Sequence, residues 1–370
     1  MMPLPAPADG RLTVAALVPY APGIAPSQRF RIEQWVPHLA GEGVEVSLLP
    51  FADKELTDLL QHPRRTLRKA VLMLGALARR RRDIASLPRK RLALVHRAAT
   101  LVGPPVFERS LKRRGHPLVY DFDDAIYLLH TAAQNRGLAW LKQPGKTATI
   151  CRFSDQVVVG NAHLAAWARK HNPAVAIVPS SVDTDLYRVR PERRAPERFV
   201  VGWMGSSTSQ TYLEAFGPML QAVSSTLQVE LRVVSNRRPA LPDVSLTWRP
   251  WSAEREVDDL AEFDVGIMPM PDEEWALGKC AFKALQYMAV GVPTVASAIG
   301  ANREVIEHGV NGLLATDSRE WVECIGSLAT DTELRRRLGL AGRRTVEERF
   351  SMRRSAAAMA EVLRRVGGVH

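Results

Sequence analysis

Twice along this chain a nearly unbroken apolar run leads into a loop of small residues and then into a segment with helical spacing. Leu12 to Val18 precedes Pro19–Gln28, which carries Pro22, Gly23 and Pro26; a helical pattern (Arg29, Phe30, Ile32, Trp35, Leu39) then runs from Ser27 to about Gly41. Phe199 to Trp203 precedes Gly205-Ser206-Ser207-Thr208-Ser209 and a helix reaching about Ser224. A run apolar at consecutive positions marks a strand covered on both faces, and strands alternating with helices build parallel sheets. The pattern predicts an α/β chain with two Rossmann-like, doubly wound domains.

Further strands are expected at Val44–Leu49, Leu92–His96, Leu118–Phe122, Gln156–Val159 and Ile177–Pro179 in the first half. In the second half they are expected near Leu231–Val234, Leu246–Trp248, Val265–Met268 and Thr294–Ala296. Cys280–Val290, Trp321–Leu328, Thr332–Phe350 and Ser351–Val366 read as helices. Arg188–Arg198 (RVRPERRAPER) is charged, holds two prolines and lacks apolar periodicity, as an interdomain linker would. The expected division is residues 1–190, residues 191–350 and a terminal helix over 351–370.

The net charge of +11 is concentrated. Arg64, Arg65, Arg68, Lys69, Arg79, Arg80, Arg81, Arg82, Arg89, Lys90 and Arg91 face one acid, Asp83, within Arg64–Arg91. That segment holds +10, leaving +1 for the rest of the chain, so it points to one anionic contact surface rather than a nucleic-acid-binding body. Its basic ends bracket Ala70–Ala78, a pattern that fits an anionic membrane surface as well as a solvated helix hairpin. It has no aromatic residue on which a base would stack, and no nucleic-acid partner is expected. Cys151, Cys280 and Cys324 form no CxxC pair, which argues against a disulfide framework or a zinc site. No basic start with an apolar run appears at the N-terminus, and Ala70–Ala78 is too short to span a bilayer, so a cytoplasmic location is expected.

In doubly wound sheets ligands bind beyond the carboxyl ends of the strands. That rule selects Pro22–Arg31, Asp121–Asp124, Gly205–Ser209 and Asp272–Lys283. Around Gly205, small residues let a phosphate approach the backbone at a helix start, where N–H groups lack partners and the dipole favours negative charge. The hydroxyls of Ser206, Ser207 and Thr208 add donors; a plain helix cap would use the same residues. Asp272–Lys283 reads DEEWALGKCAFK. If its helix begins early enough, Lys279 and Lys283 share a face and can neutralise a diphosphate, unless they are simply solvated. Gln286, one turn on, can bond ribose hydroxyls or belong to an ordinary polar face. Asp121, Asp123 and Asp124 can bind a cation, serve as a base, orient sugar hydroxyls or cap a helix. Gly23, Ser27, Arg29 and Arg31 occupy the first loop and helix, where an arginine either reaches a cleft or lies on a surface face.

The stretch FDVGIMPMPDEEWALGKCAFKALQYMAVGVPTVASAIGANREVIEHGVNGLL (Phe263–Leu314) resembles the donor-binding half of family 4 glycosyltransferases with the GT-B fold, and so does GWMGSSTSQTYL (Gly202–Leu213). SQRFRIEQWVPHLAGEGVEVSLLPF (Ser27–Phe51) and VYDFDDAIY (Val119–Tyr127) resemble the same family. The likeness covers most of the chain, weakest from Ala52 to Arg91, and its motifs are specific jointly rather than singly. It implies two domains facing a cleft, a terminal helix crossing back onto the first, and retaining transfer from a nucleotide-diphosphate sugar without a cofactor or metal. It also implies a nucleotide-binding second domain and a first domain that takes the acceptor, a glycan or lipid-linked molecule of the cell envelope. Gly205 and Ser206 match the loop that meets the donor phosphates. Gln286 stands where the family has the second glutamate of its pair, and Gly278 where it has the first. Both glutamates are thus replaced, leaving Asp272, Glu273 or Glu274 as candidates for the sugar contact. The arginine and lysine often found after the first strand of the second domain are missing too, and Lys279 and Lys283 are the candidates to replace them.

The expected roles are therefore catalytic for Asp123, Asp124, Lys279 and Lys283. Gly205, Ser206, Ser207, Glu274, Gly278 and Gln286 would bind donor, and Gly23, Ser27 and Arg29 would line the acceptor side. Two other functions use the same features: a nucleotide-sugar-binding protein without catalysis and a nucleotide-sugar epimerase. A dinucleotide oxidoreductase is disfavoured, since no GxGxxG follows the first strand.

Overall fold

The computed structural model describes residues 11–60, 65–128, 143–189 and 198–369. The chain divides into two units, residues 1–180 with 352–370 and residues 181–351. The first is built on β1 (Leu12–Val18), β2 (Val44–Pro50), β3 (Leu92–His96), β4 (Leu118–Phe122), β5 (Gln156–Val159) and β6 (Val175–Ile177). All pair in parallel, in the order β2-β1-β3-β4-β5-β6. β3, β4 and β5 are buried at every position, which is why their sequences are unbroken runs.

The helix expected from Ser27 to Gly41 is three shorter pieces: Pro26–Arg31, a 3-10 turn at Glu33–Trp35, and Val36–Gly41. Pro37 is the cause. Inside one continuous helix it would offer no N–H to the Glu33 carbonyl and its ring would clash there, so the helix restarts with proline in its first turn. The first piece is opened by Pro26 rather than Ser27. The terminal helix, Met352–Gly367, packs in this unit, with Met352, Ala356, Met359 and Leu363 against Val14, Trp35, Leu39 and Val178. Each of the buried Met and Leu side chains contributes about 1.5–3 kcal/mol, so packing rather than helix propensity holds it.

The basic segment forms the helix Thr66–Ser86, and not all of its charge faces solvent. Arg80 is buried, donating from Nε to the Ala99 carbonyl at 2.9 Å and from Nη2 to the Val18 carbonyl at 3.2 Å. Burial pulls its pKa down to about 10, against the pull of Asp83 and Glu108. Arg91 is buried, and Arg79 donates to the Phe51 carbonyl at 2.8 Å. The local charge of the sequence therefore overstates the charge presented at the surface. Arg64 lies outside the described residues.

The second unit is built on β7 (Val200–Met204), β8 (Glu230–Ser235), β9 (Leu246–Pro250), β10 (Val265–Met268), β11 (Thr294–Ser297) and β12 (Leu313–Ala315). These are parallel, in the order β12-β11-β10-β7-β8-β9, the Rossmann strand order. Neighbours along a strand feed opposite faces: Val201 and Trp203 join one core, Val200 and Met204 the other.

Residues 181–189 belong to this second unit, ahead of the boundary expected near residue 190. The Val182 N–H donates to the Phe350 carbonyl at 3.0 Å, and Arg343 donates to the carbonyls of Thr184 and Tyr187. Most of the linker expected over 188–198 lies outside the described residues. Among the described residues, no helix is long and apolar enough to cross a membrane.

Candidate functional site

In the Rossmann order the ligand position is where the strand order reverses, here between β7 and β10. Gly205 follows β7, and its N–H donates to the Val234 carbonyl at 3.0 Å. A Cβ at this position would lie 2.5 Å from Trp203 Cη2 and 2.7 Å from Ser209 Oγ, so only glycine fits. The helix Ser207–Ala215 begins two residues on, with Ser206 as an N-cap that makes no side-chain cap bond. The side chains of Ser207 and Thr208 lie outside the described residues. The end of β7 is fastened to the helix Phe282–Ala289, because the Met204 N–H donates to Tyr287 Oη at 3.0 Å. Gly266 leaves room for that ring; a Cβ there would lie 2.3 Å from Tyr287 Cγ.

The early helix start that would set both lysines on one face does not occur. A short helix, Glu274–Leu277, ends at buried Gly278, and the next begins at Phe282 after Ala281 adopts a left-handed conformation (φ 52°). Lys279 therefore sits in the connection and Lys283 in the first turn of the helix. Each ammonium group lies over an indole ring. Lys279 Nζ is 5.3 Å from the Trp275 ring centroid, and Lys283 Nζ is 5.6 Å from that of Trp203. Trp203 is the same buried ring that packs against Gly205. One indole thus brings a cation and a side-chain-free loop together. Glu274 is exposed at the start of its short helix.

Gln286 differs from expectation. It is buried, and its amide nitrogen donates to Tyr187 Oη at 3.0 Å and to Glu256 Oε1 at 3.2 Å. Tyr187 Oη donates to the same carboxylate oxygen, and Trp251 Nε1 donates to Glu256 Oε2 at 3.0 Å. The amide expected to meet a ribose hydroxyl is committed to a buried carboxylate. Glu256 and Tyr187 were not legible as its partners, lying 30 and 99 residues away.

In the first unit the strand order reverses between β1 and β3, and the loops after β1, β3 and β4 meet there in a chain of polar contacts. Asp121 is fully buried, accepting from Arg31 Nε at 2.9 Å and facing His96 Nδ1 at 2.7 Å. His96 Nε2 is 3.1 Å from Ser27 Oγ, and Ser27 Oγ donates to Asp123 Oδ1 at 2.8 Å. Arg97 closes the cluster, bridging Asp123 at 2.7 Å and Asp124 at 2.6 Å. Burial opposes the charge of Asp123, but Arg97, His96 and Arg31 outweigh it and hold the carboxyl well below the usual carboxylate range. Arg97 is likewise held protonated by Asp123 and Asp124 against the cost of burial. Its backbone is left-handed (φ 60°), an uncommon state for a long side chain and one that clusters at functional positions.

These contacts revise the sequence reading. Asp123 is too weak a base to take a proton at neutral pH. Arg31 is neither a cleft nor a surface residue but half of a buried ion pair. Ser27 joins the cluster, whereas the Gly23 N–H is taken by Glu33 Oε2 at 2.8 Å and the Arg29 guanidinium stacks over Phe30 at 4.1 Å. His96 and Arg97 were missed, although the strand-end rule applied to β3 would have found them. Among the described residues no group of three or more His, Cys, Asp or Glu is placed to hold a metal ion.

The two sheets and their helices have the architecture of GT-B glycosyltransferases. The structure is similar to sucrose-phosphate synthase from Thermosynechococcus elongatus (TM-score 0.67, 15% identity, 97% of this chain and 100% of that one). It is also similar to HepE from Anabaena in complex with UDP and glucose (TM-score 0.66, 16% identity, 96% and 100%). In sequence, residues 198–331 match the family described as Glycosyl transferases group 1. The matched residues include Gly205, Lys279, Lys283 and Gln286. The chain is also 34% identical over 122 residues to D-inositol 3-phosphate glycosyltransferase of Xylanimonas cellulosilytica, spanning 32% of this chain and 28% of that relative.

Proposed function

We propose that this protein is a retaining, family 4 glycosyltransferase that moves a sugar from a nucleotide-diphosphate donor to a hydroxyl of a glycan or lipid-linked acceptor in the cytoplasm. Cell-envelope glycan synthesis is the setting that fits such an acceptor. The observation that carries this reading is the placement of Lys283 over the indole that packs against Gly205. A diphosphate lying on Gly205 and Ser206 meets a helix start and a cation together. As the glycosidic bond breaks, negative charge grows on the leaving phosphate oxygen, and Lys283 and Lys279 stabilise it. The acceptor oxygen forms the new bond on the face the phosphate leaves, and its proton passes to that phosphate oxygen. Asp123 remains an anion, and it and Asp124 orient hydroxyls. Glu274 contacts the donor sugar, and no metal takes part.

Thermal unfolding with a panel of nucleoside diphosphates and their sugars tests the reading, with UDP and UDP-glucose as first probes. A ligand at 100 times its Kd adds about 2.7 kcal/mol to the folded state. Stabilisation by one diphosphate and its sugar, followed by an NMR spectrum showing a product of unchanged anomeric configuration, supports it. A donor consumed alone to an isomer makes the protein an epimerase. The commitment of Gln286 to Glu256 favours one second reading, donor binding without catalysis; tight donor binding with no turnover across acceptors would establish that instead.

A further inference from the structure

The basic helix has two apolar faces. At 100° per residue, Leu72, Met73 and Ala76 lie on one side and pack with Phe51, Ala52 and Leu56. Leu67, Val71, Leu74 and Ala78 fall within about 60° of arc on the other side. Among the described residues nothing covers them: Leu67 is 84% exposed, Val71 67% and Leu74 67%. The stripe runs for about 17 Å along the helix. Arg81 and Arg82, both exposed, flank its line in the following turns. The only acid of the helix, Asp83, is buried beside Arg80 on the inner side.

We infer that this outer face docks onto an anionic phospholipid surface, with Leu67, Val71 and Leu74 entering the acyl boundary and Arg81 and Arg82 meeting headgroup phosphates. The helix lies in the plane of the interface. A stripe only one side chain wide, bordered by cations, matches that interface: apolar atoms need hydrocarbon just below a layer of negative charge. A second copy packed in parallel fits worse, because it would bring the two arginine pairs together. Nucleic acid has no use for the stripe, and the helix offers no aromatic platform. The inference does not depend on the transfer chemistry.

Flotation of the full chain with vesicles tests it, using phosphatidylcholine containing phosphatidylglycerol against phosphatidylcholine alone. The protein should float with the anionic vesicles and be released by high salt. Replacing Leu67, Val71 and Leu74 together by Ser should lower partitioning about tenfold or more, and so should the double change Arg81→Glu and Arg82→Glu. Because the altered side chains are solvent-exposed, circular dichroism and thermal unfolding should match the parent. Equal flotation of parent and triple variant would overturn the inference, as would no binding to anionic vesicles. A parent dimer that the triple variant converts to monomer, without vesicle binding, would assign the stripe to self-association instead.

Discussion

Lys283 holds its ammonium 5.6 Å from the ring centroid of Trp203, the indole whose edge fills the space where a side chain at residue 205 would stand. If that cation meets the leaving phosphate, Lys283→Ala should lower kcat/KM about 100-fold, or ~2.7 kcal/mol of transition-state stabilisation. Lys283→Arg should retain most of the rate, since it keeps both the charge and the stacking. Steady-state kinetics with the donor found by thermal unfolding decide it; an alanine variant as fast as the parent would remove the charge role.

Gly205→Ala tests the same ring from the other side. The new methyl would meet Trp203 Cη2 at 2.5 Å, and that ring is buried and cannot swing clear. Urea unfolding should show a loss of about 1–3 kcal/mol. Donor affinity should fall further than stability, because the loop itself must shift.

Gln286→Glu restores the residue type that the resembled family carries here, yet it should not restore a ribose contact. It would set a second carboxylate against buried Glu256, 3.2 Å from where the amide nitrogen now lies. Like charges that close cannot both ionise without cost, so the single change should destabilise by about 1–3 kcal/mol. Adding Glu256→Gln should recover much of that loss. A double-mutant cycle in urea measures the coupling, and additive effects would show that the two side chains do not interact as described.

Asp123 predicts the acid response of the first unit. Its folded pKa is depressed, so the stabilisation it gives is complete above its unfolded value, about 3.9, and is lost as pH falls below that. Unfolding free energy should therefore decline as pH drops from about 5 towards 2. Asp123→Asn should be less stable than the parent by about 2 kcal/mol at pH 7 and should show a shallower acid decline. Equal slopes for parent and variant would place the acid sensitivity elsewhere.

Consecutive apolar residues decided the architecture by themselves. Leu12–Val18 and Val200–Met204 could be read as buried parallel strands because a strand covered on both faces has no polar alternation to hide. The loops after those strands were legible for the same reason, since ligands gather at strand ends in any such sheet. Local chemistry that needed a partner was not legible. Lys279 and Lys283 are four residues apart, and spacing alone suggests one helical face; a left-handed Ala281 separates them, and each ammonium group lies over a different indole. Gln286 looked free because Glu256 and Tyr187 are distant in sequence, and a base role stayed open to Asp123 because Arg97 follows a different strand. A segment's burial pattern is written in its own residues, whereas the charge and reach of a side chain depend on what the fold places beside it.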